Sequence, residues 1–489
     1  MGKTCTDLFA GIDCTVIGNA DEEVGGIAYR SDRVQPGDAF FCIVGLTADG
    51  HSFAQDAIDR GAKVLVVERK VYLADATDVT EIVVKDTRKA MAAAAANFYD
   101  HPSKDLALVG ITGTKGKSTT CFLIKSILQQ AGHKVGLIGT IMTMIGDKRL
   151  PADLTTPDPI ELQKLLRQMA DEGVDVVTME VSAHALALHK LDGMIYDAVA
   201  FTNLSHDHLD FFGTPENYFA AKCRLLTPEF AKYALLNGDD EHAASIVDTL
   251  KIPHERFAIR EKANIYAGDI EFDARGLSFM MHFHKRYALE IHLKLSGLFN
   301  VYNSLCAAAV CDAIGVAPEY IKAGLEEIAS VPGRMEVLDT GTQYQVILDY
   351  AHSPDSLDNV LRAVRQFING RLIAVFGCGG NRDREKRPIM GRIGAELADY
   401  CVLTSDNPRG ENPMDILASI EEGARPEGKP YSVIENRREA IKHALKIAQP
   451  GDVVLLAGKG HETYQEIMGE KHPFDEKVVV QELLAELEM

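Results

Sequence analysis

Short apolar runs separated by stretches of helical length recur along most of the chain. In residues 105–334 the runs LALVGITG, HKVGLIGT, VDVVTMEVS, YDAVAFTNL and YALLNGDD read as buried strands. Between the first two, STTCFLIKSILQQAG spaces its apolar residues as an amphipathic helix and stops at Gly132. Strand alternating with helix predicts a mainly parallel sheet covered by helices. The later text IYAGDIEFDARGLSFMMHFHKRYALEIHLKL alternates more loosely between turn residues and predicts antiparallel strands at the edge.

The same rhythm flanks this segment. Before it, DAFFCIVG and AKVLVVER read as strands and TRKAMAAAAANFYD as an alanine-rich helix. Pro102, in HPSKD, marks a boundary because proline lacks an amide donor. After it, YQVILDYAH, RLIAVFGCGG, DYCVLTSDNP, YSVIEN and DVVLLAGKGHE are strands, with helices predicted in SLDNVLRAVRQFI, MDILASIEEGA and RREAIKHALKIA. Their ends carry Gly, Asp, Asn or His, where open α/β sheets present ligand groups. The expected domains are 1–104, 105–334 and 335–489, in line with a length of 489 residues.

Composition narrows the function. Lys plus Arg number 51 against 71 Asp plus Glu, a formal net charge of −20. That surplus argues against nucleic acid or anionic lipid as partner, although a local basic pocket is compatible with it. The nine cysteines include no C-x-x-C pair and are expected to be reduced. No apolar run approaches the roughly 18 residues of a membrane span, and the N-terminus lacks a signal pattern. A cytoplasmic protein without stable membrane insertion is the expectation.

The chemistry starts at LVGITGTKGKSTT, residues 108–120. Gly116, Lys117 and Ser118 resemble the end of the phosphate loop G-x-x-x-x-G-K-[ST], but Ile111 stands where that pattern has its first glycine. An apolar strand, a loop with three glycines and an amphipathic helix still form an anion cradle, because backbone amides approach a phosphate at a helix N-terminus. Lys117 can reach the outer phosphates, and the Ser118 hydroxyl can ligate Mg²⁺. Strand ends also present Glu180, and Asn203, His206, Asp207 and His208; a buried carboxylate and an imidazole near Ser118 could complete a magnesium site.

The ordered motifs GITGTKGKST, MEVSAHAL, FTNLSHDHLDFFGTPENYFAAK, LSGLFNVYN, VPGRME, LDYAHSPDSL and GKGHETY resemble those of the Mur ligases across essentially the whole chain. RSDRVQPGDAFFCIVGLTADGHSF is similar to the family's uridine-nucleotide domain. The resemblance implies three α/β domains: a smaller N-terminal uridine-nucleotide domain, a central P-loop-type sheet and a C-terminal Rossmann-like domain. It also implies peptidoglycan synthesis by an ATP-dependent ligase. The γ-phosphate of ATP activates a substrate carboxylate as an acyl phosphate, which an amine then attacks through a tetrahedral intermediate.

Residue by residue, the resemblance implies that Gly113, Thr114, Lys115, Gly116, Lys117, Ser118 and Thr119 hold the ATP phosphates. It places Asn300 and Asn303 near adenine, and Arg334 and Asp349 where the last domain meets the nucleotide. Ser118, Glu180, His208 and Lys222 would serve the metal, Lys222 as a carbamate. Together with Lys117, Glu180, His208 and Lys222 form the expected catalytic set. Ser31, Leu46, Thr47 and Ala48 would take the uridine end, and Thr155, Thr156 and Ser182 the sugar-peptide or diphosphate. Two departures stand out: many members of the family carry Gln and Arg where this chain has Leu188 and Lys190. Lys190 keeps a charge without a bidentate fork, and Leu188 keeps neither.

The last domain carries the choice of amino acid. Meso-diaminopimelate has a distal carboxylate that lysine lacks, and arginine pairs bidentately with carboxylates. Asp406, Asn407, Pro408 and Arg409 match the DNPR signature of diaminopimelate-adding members, Arg382 a second arginine, and Gly458 and Glu462 the groups at the distal head. His352 lies nearby. The implied substrates are UDP-N-acetylmuramoyl-L-alanyl-D-glutamate, ATP and meso-diaminopimelate, used by a monomer. Alternatives are addition of L-lysine or another diamine, the D-Ala-D-Ala-adding branch, a nucleotide switch without catalysis, and folylpolyglutamate synthesis. Retention of Lys117, Glu180, His208 and Lys222 argues against the switch, and the N-terminal segment and DNPR against folylpolyglutamate synthesis.

Overall fold

The computed structural model describes residues 2–45, 48–74, 78–205, 207–260, 262–273, 276–284, 286–368 and 370–487. Three principal sheets occupy successive stretches of chain. The first orders its strands Cys14–Ile17, Thr80–Val84, Val64–Val67, Asp38–Phe41, Gly26–Ala28, all parallel except the first. The alanine-rich helix forms at Thr87–Phe98, capped by Asp86 through the amides of Arg88 and Lys89.

The central sheet has eleven strands. All five apolar runs predicted there are strands: Ala107–Thr112, Val135–Ile138, Val176–Glu180, Ala198–Phe201 and Ala234–Asn237, joined in parallel. The loosely alternating text forms the antiparallel edge Ile265–Asp273, Gly276–Phe283 and Tyr287–Leu293. Apolar clusters cover both faces. On one, Cys121, Ile124 and Ile127 of helix Lys117–Gln130 pack with Leu305 and Val310 of helix Leu298–Ala313. Leu162 and Leu166 of helix Pro159–Asp171 pack on the other.

The third sheet orders Glu336–Leu338, Gln345–Asp349, Val453–Ala457, Leu372–Phe376, Tyr400–Leu403 and Tyr431–Val433, parallel after its first strand. Two elements carry no clear signal in the sequence: the hairpin Tyr464–Ile467 and Glu470–Pro473, and the helix Glu476–Glu486. The nine cysteines are free thiols. No helix among the described residues is long and apolar enough to cross a membrane.

Candidate active site

The phosphate loop forms where the pattern predicts, between strand Ala107–Thr112 and helix Lys117–Gln130. Gly113 and Gly116 take φ of +143° and +85°, which L side chains rarely adopt. A Cβ on Gly113 would come within 2.0 Å of Thr202 Oγ1, and one on Gly116 within 2.4 Å of Asn303 Oδ1. The neighbouring strand end clamps the loop: Lys115 N donates to Asn203 Oδ1 (2.9 Å), and Thr202 Oγ1 donates to Lys115 O (2.6 Å).

Two lysines converge on one carbonyl. Lys117 Nζ donates to Gly113 O (3.0 Å) and Thr114 O (2.9 Å), and Lys222 Nζ, from helix Pro215–Cys223, donates to Gly113 O (2.8 Å). Lys222 is 1% exposed and sits over the Tyr218 ring, 4.4 Å from its centroid. Burial, assisted by the charge of Lys117, pulls its pKa well below the ordinary lysine value. Burial also lowers Lys117, against the opposing pull of Glu180 and Asp207.

Register places Glu180 beside Ile111, next to the loop's own strand. Its carboxylate accepts from Thr140 N (2.9 Å) and Thr140 Oγ1 (3.0 Å), and Thr140 Oγ1 meets Thr155 Oγ1 at 3.0 Å. Thr156 Oγ1 donates to Glu180 O (2.8 Å) and accepts from Ser182 N (3.1 Å). Thr155, Thr156, Glu180 and Ser182 therefore belong to one network. His208, at φ +54°, joins the Lys222 side through Tyr218, ring centroids 5.9 Å apart. Burial lowers the pKa of His208; Asp207, although buried, is held below the usual carboxylate range by His208, His352, Lys115 and Lys117.

Hard oxygen donors at Ser118 and Glu180 suit Mg²⁺. Among the described residues no three His, Cys, Asp or Glu side chains gather as a metal cage.

The end of the central segment and the start of the last one reach into this centre. Arg334 Nη2 lies 3.4 Å from Ser118 Oγ, with its guanidinium over the Tyr350 ring. Lys115 Nζ donates to Ser353 Oγ (2.5 Å). Asp349 accepts from Met335 N (2.8 Å), and burial raises its pKa. Asn303 donates to Asn300 Oδ1 (2.9 Å), while Asn300 is tied to Ser296 O (2.7 Å), so Asn303 is the one that borders the loop. His352 Nδ1 lies 2.8 Å from Tyr350 O.

The DNPR turn forms a second centre. Asn407 Nδ2 donates to Glu462 Oε2 (2.9 Å), and the buried Lys459 Nζ donates to both Asn407 Oδ1 (3.0 Å) and Glu462 Oε2 (2.9 Å). Asp406 Oδ2 is buried without a hydrogen-bond partner among the described residues. Arg409, at φ +50°, is aimed by Glu466 Oε2 (3.1 Å) and Gly380 O (3.0 Å). Pro408 is buried within the turn, and Gly458 N donates to Asp349 O (3.0 Å), linking the two centres. Arg382 is exposed, its Nη1 3.5 Å from Asn381 O.

The uridine-end positions lie in the first segment. Ser31 opens the turn Ser31–Arg33 and bonds Asp56, and Ala48 O accepts from Gly45 N (2.8 Å). Leu46, Thr47 and His206 lie outside the described residues. Lys190 Nζ is paired with Asp158 Oδ1 at 2.8 Å. Sequence reasoning missed Thr140, Thr202, Tyr218, Ser353, Lys459 and Glu466, each of which has at least one partner distant in the chain.

Three family models match: "Mur ligase family, catalytic domain" over residues 23–99, "Mur ligase middle domain" over 111–311 and "Mur ligase, glutamate ligase domain" over 333–460. A UDP-N-acetylmuramoyl-L-alanyl-D-glutamate–2,6-diaminopimelate ligase of Caldanaerobacter subterraneus is 43% identical, with 99% of each chain covered. One from Clostridium acetobutylicum is 44% identical, covering 96% of this chain and 97% of its own. A solved structure of a UDP-N-acetylmuramoyl-L-alanyl-D-glutamate–2,6-diaminopimelate ligase superposes with a TM-score of 0.70 at 30% identity, all of both chains covered. Mycobacterium tuberculosis folylpolyglutamate synthase shares the fold at a TM-score of 0.64 and 16% identity, over 76% of this chain and 92% of its own.

Proposed function

The chain belongs to the Mur ligase family, and from that premise we propose how its residues perform the family's reaction. It is an ATP-dependent ligase that adds meso-diaminopimelate to UDP-N-acetylmuramoyl-L-alanyl-D-glutamate in peptidoglycan synthesis. The observation that carries the residue assignment is the meeting of Lys117 and Lys222 on Gly113 O beside the Glu180 strand end.

The D-glutamate carboxylate attacks the γ-phosphorus of ATP, forming an acyl phosphate and releasing ADP. The diaminopimelate amine then attacks the acyl carbon, and the tetrahedral adduct collapses to amide and phosphate. Two anions must approach in the first step, so Lys117, Lys115 and the helix N-terminus screen the phosphates. Arg334, at the end of the central domain, and Ser353, in the last one, both reach the same loop and Asn303 borders it, which orients the nucleotide.

Ser118 and Glu180 would hold Mg²⁺, approached by His208 and carbamylated Lys222; bound there, the ion supplies charge neutralisation at the transferring phosphoryl group. A buried amine with a depressed pKa is a nucleophile toward carbon dioxide: the C–N bond forms, a proton leaves, and the cation becomes an anion fit to stand beside a metal.

Thr155, Thr156, Ser182 and Lys190 take the acceptor, with Ser31, Leu46, Thr47 and Ala48 at its uridine end. Arg409 and Arg382 meet the distal carboxylate of diaminopimelate, and Asp406 and Glu462 the distal ammonium, with Asn407, Pro408, Gly458 and His352 shaping the pocket. The domains are 1–104, 105–334 and 335–489, and the enzyme works as a cytoplasmic monomer. An ADP-release assay with acceptor, ATP and single amines tests the reading: meso-diaminopimelate should support turnover and L-lysine or D-Ala-D-Ala should not. Turnover with lysine alone would refute it.

A further inference from the structure

Asp158 occupies the N-cap of helix Pro159–Asp171, where an aspartate ordinarily accepts from the second or third amide of the helix. Here its side chain makes no such bond. One carboxylate oxygen accepts from Tyr29 OH (2.8 Å), and the other meets Lys190 Nζ (2.8 Å). Tyr29 belongs to the first segment of the chain, 129 positions before Asp158. Lys190 follows the short helix Ala183–Ala187 that Ser182 caps, and Asp158 follows Thr155 and Thr156. The side chains of Asp158 and Lys190 are 23% and 12% exposed, so the pair is partly sheltered from water. A second pair, Arg33 with Glu161 at 3.6 Å, bridges the same two segments from an exposed position.

A lysine presents a point charge on a flexible stem, and it cannot fix its own direction as a guanidinium fork does. Substituting Lys for Arg at position 190 therefore leaves a cation that needs an external guide. We infer that Asp158 is a positioning residue for the acceptor: one oxygen aims the Lys190 ammonium at the anionic part of the UDP-sugar, and the other, through Tyr29, fixes the uridine segment against it. The inference rests on the reading that Lys190 contacts the acceptor. Both legs end on one carboxylate, so the two ends of the substrate are held in register by a single side chain.

Steady-state kinetics of D158N, Y29F, K190A and the double variant D158N/K190A, with acceptor, ATP and meso-diaminopimelate varied in turn, test it. D158N keeps the side-chain volume, and thermal melting checks its fold. The expected results are an acceptor KM raised about tenfold by D158N and about threefold by Y29F, with ATP KM and kcat within about twofold of the parent. In the double variant D158N should add to K190A no more than the roughly threefold of the Tyr29 leg, well short of its own tenfold. If K190A leaves the acceptor KM unchanged, the Lys190 assignment falls and this inference with it. If K190A raises it while D158N leaves it unchanged or lowers it, the assignment stands and the inference is overturned. A full further rise in the double variant would overturn it as well.

Discussion

Lys222 and Arg409 show how little a residue's type reveals about its task. In the sequence Lys222 is one lysine in a helix, and nothing in NYFAAK announces burial. In the fold it is nearly inaccessible, stripped of water and facing a carbonyl and an aromatic ring. Lys222→Ala should lower kcat about a hundredfold or more, since in the proposed mechanism it removes a preorganised charge beside the metal; unimpaired turnover, measured without added short carboxylates, would remove the carbamate role. Arg409 stands at a strained turn and is steered by Glu466. Arg409→Ala should raise the KM for diaminopimelate about tenfold to a hundredfold and leave that for ATP in place, because the proposed charge-assisted pair with the distal carboxylate would be lost. An unchanged diaminopimelate KM refutes the assignment.

At the scale of elements, the strands and the helix after the phosphate loop were legible because a doubly covered sheet demands continuous apolar runs. The shortened loop was legible too: its glycines and the helix that follows suffice without Gly at 111. What stayed hidden depends on pairing across long separations. The hairpin Tyr464–Pro473 has an exposed return strand and no strong alternation, yet it delivers Glu466 to Arg409. The final helix looked unremarkable, but its Glu476 pairs at 2.8 Å with Arg437, both side chains fully buried. Arg437 also donates to Ser405 O (3.2 Å) and Ala457 O (2.9 Å), joining the strand ends that carry Asp406 and Gly458. Glu476→Ala should cost about 3–5 kcal/mol by stranding the guanidinium, read as a lower urea midpoint in equilibrium unfolding. A midpoint matching the parent would contradict it.

For the whole molecule, contacts between segments decide whether a site exists at all. Tyr29 with Asp158 joins one pair of distant stretches, and Lys115 with Ser353 and Arg334 with Ser118 both tie the phosphate loop to residues 238 and 216 positions away. None was visible in the sequence, because apolar periodicity describes what an element buries and is silent on which element it will face. Burial at these junctions also sets a pH response. His352 and His461 are both lowered by burial to about 4, against an ordinary 6.5. The unfolded chain therefore takes up protons first as pH falls. Their stabilising contribution is complete above about 6.5 and drains away as pH drops towards 4. Melting temperature should fall between pH 7 and pH 4.5, and less steeply when both histidines are replaced by glutamine; an identical slope would show that other groups control it.

The crowding around Gly113 and Gly116 bears on inhibitor design. Any side chain at Gly113 would overlap the Thr202 hydroxyl, and any at Gly116 the Asn303 amide. A compound that gripped the main chain there would confront a surface that resistance mutations cannot reshape without dismantling the cradle itself.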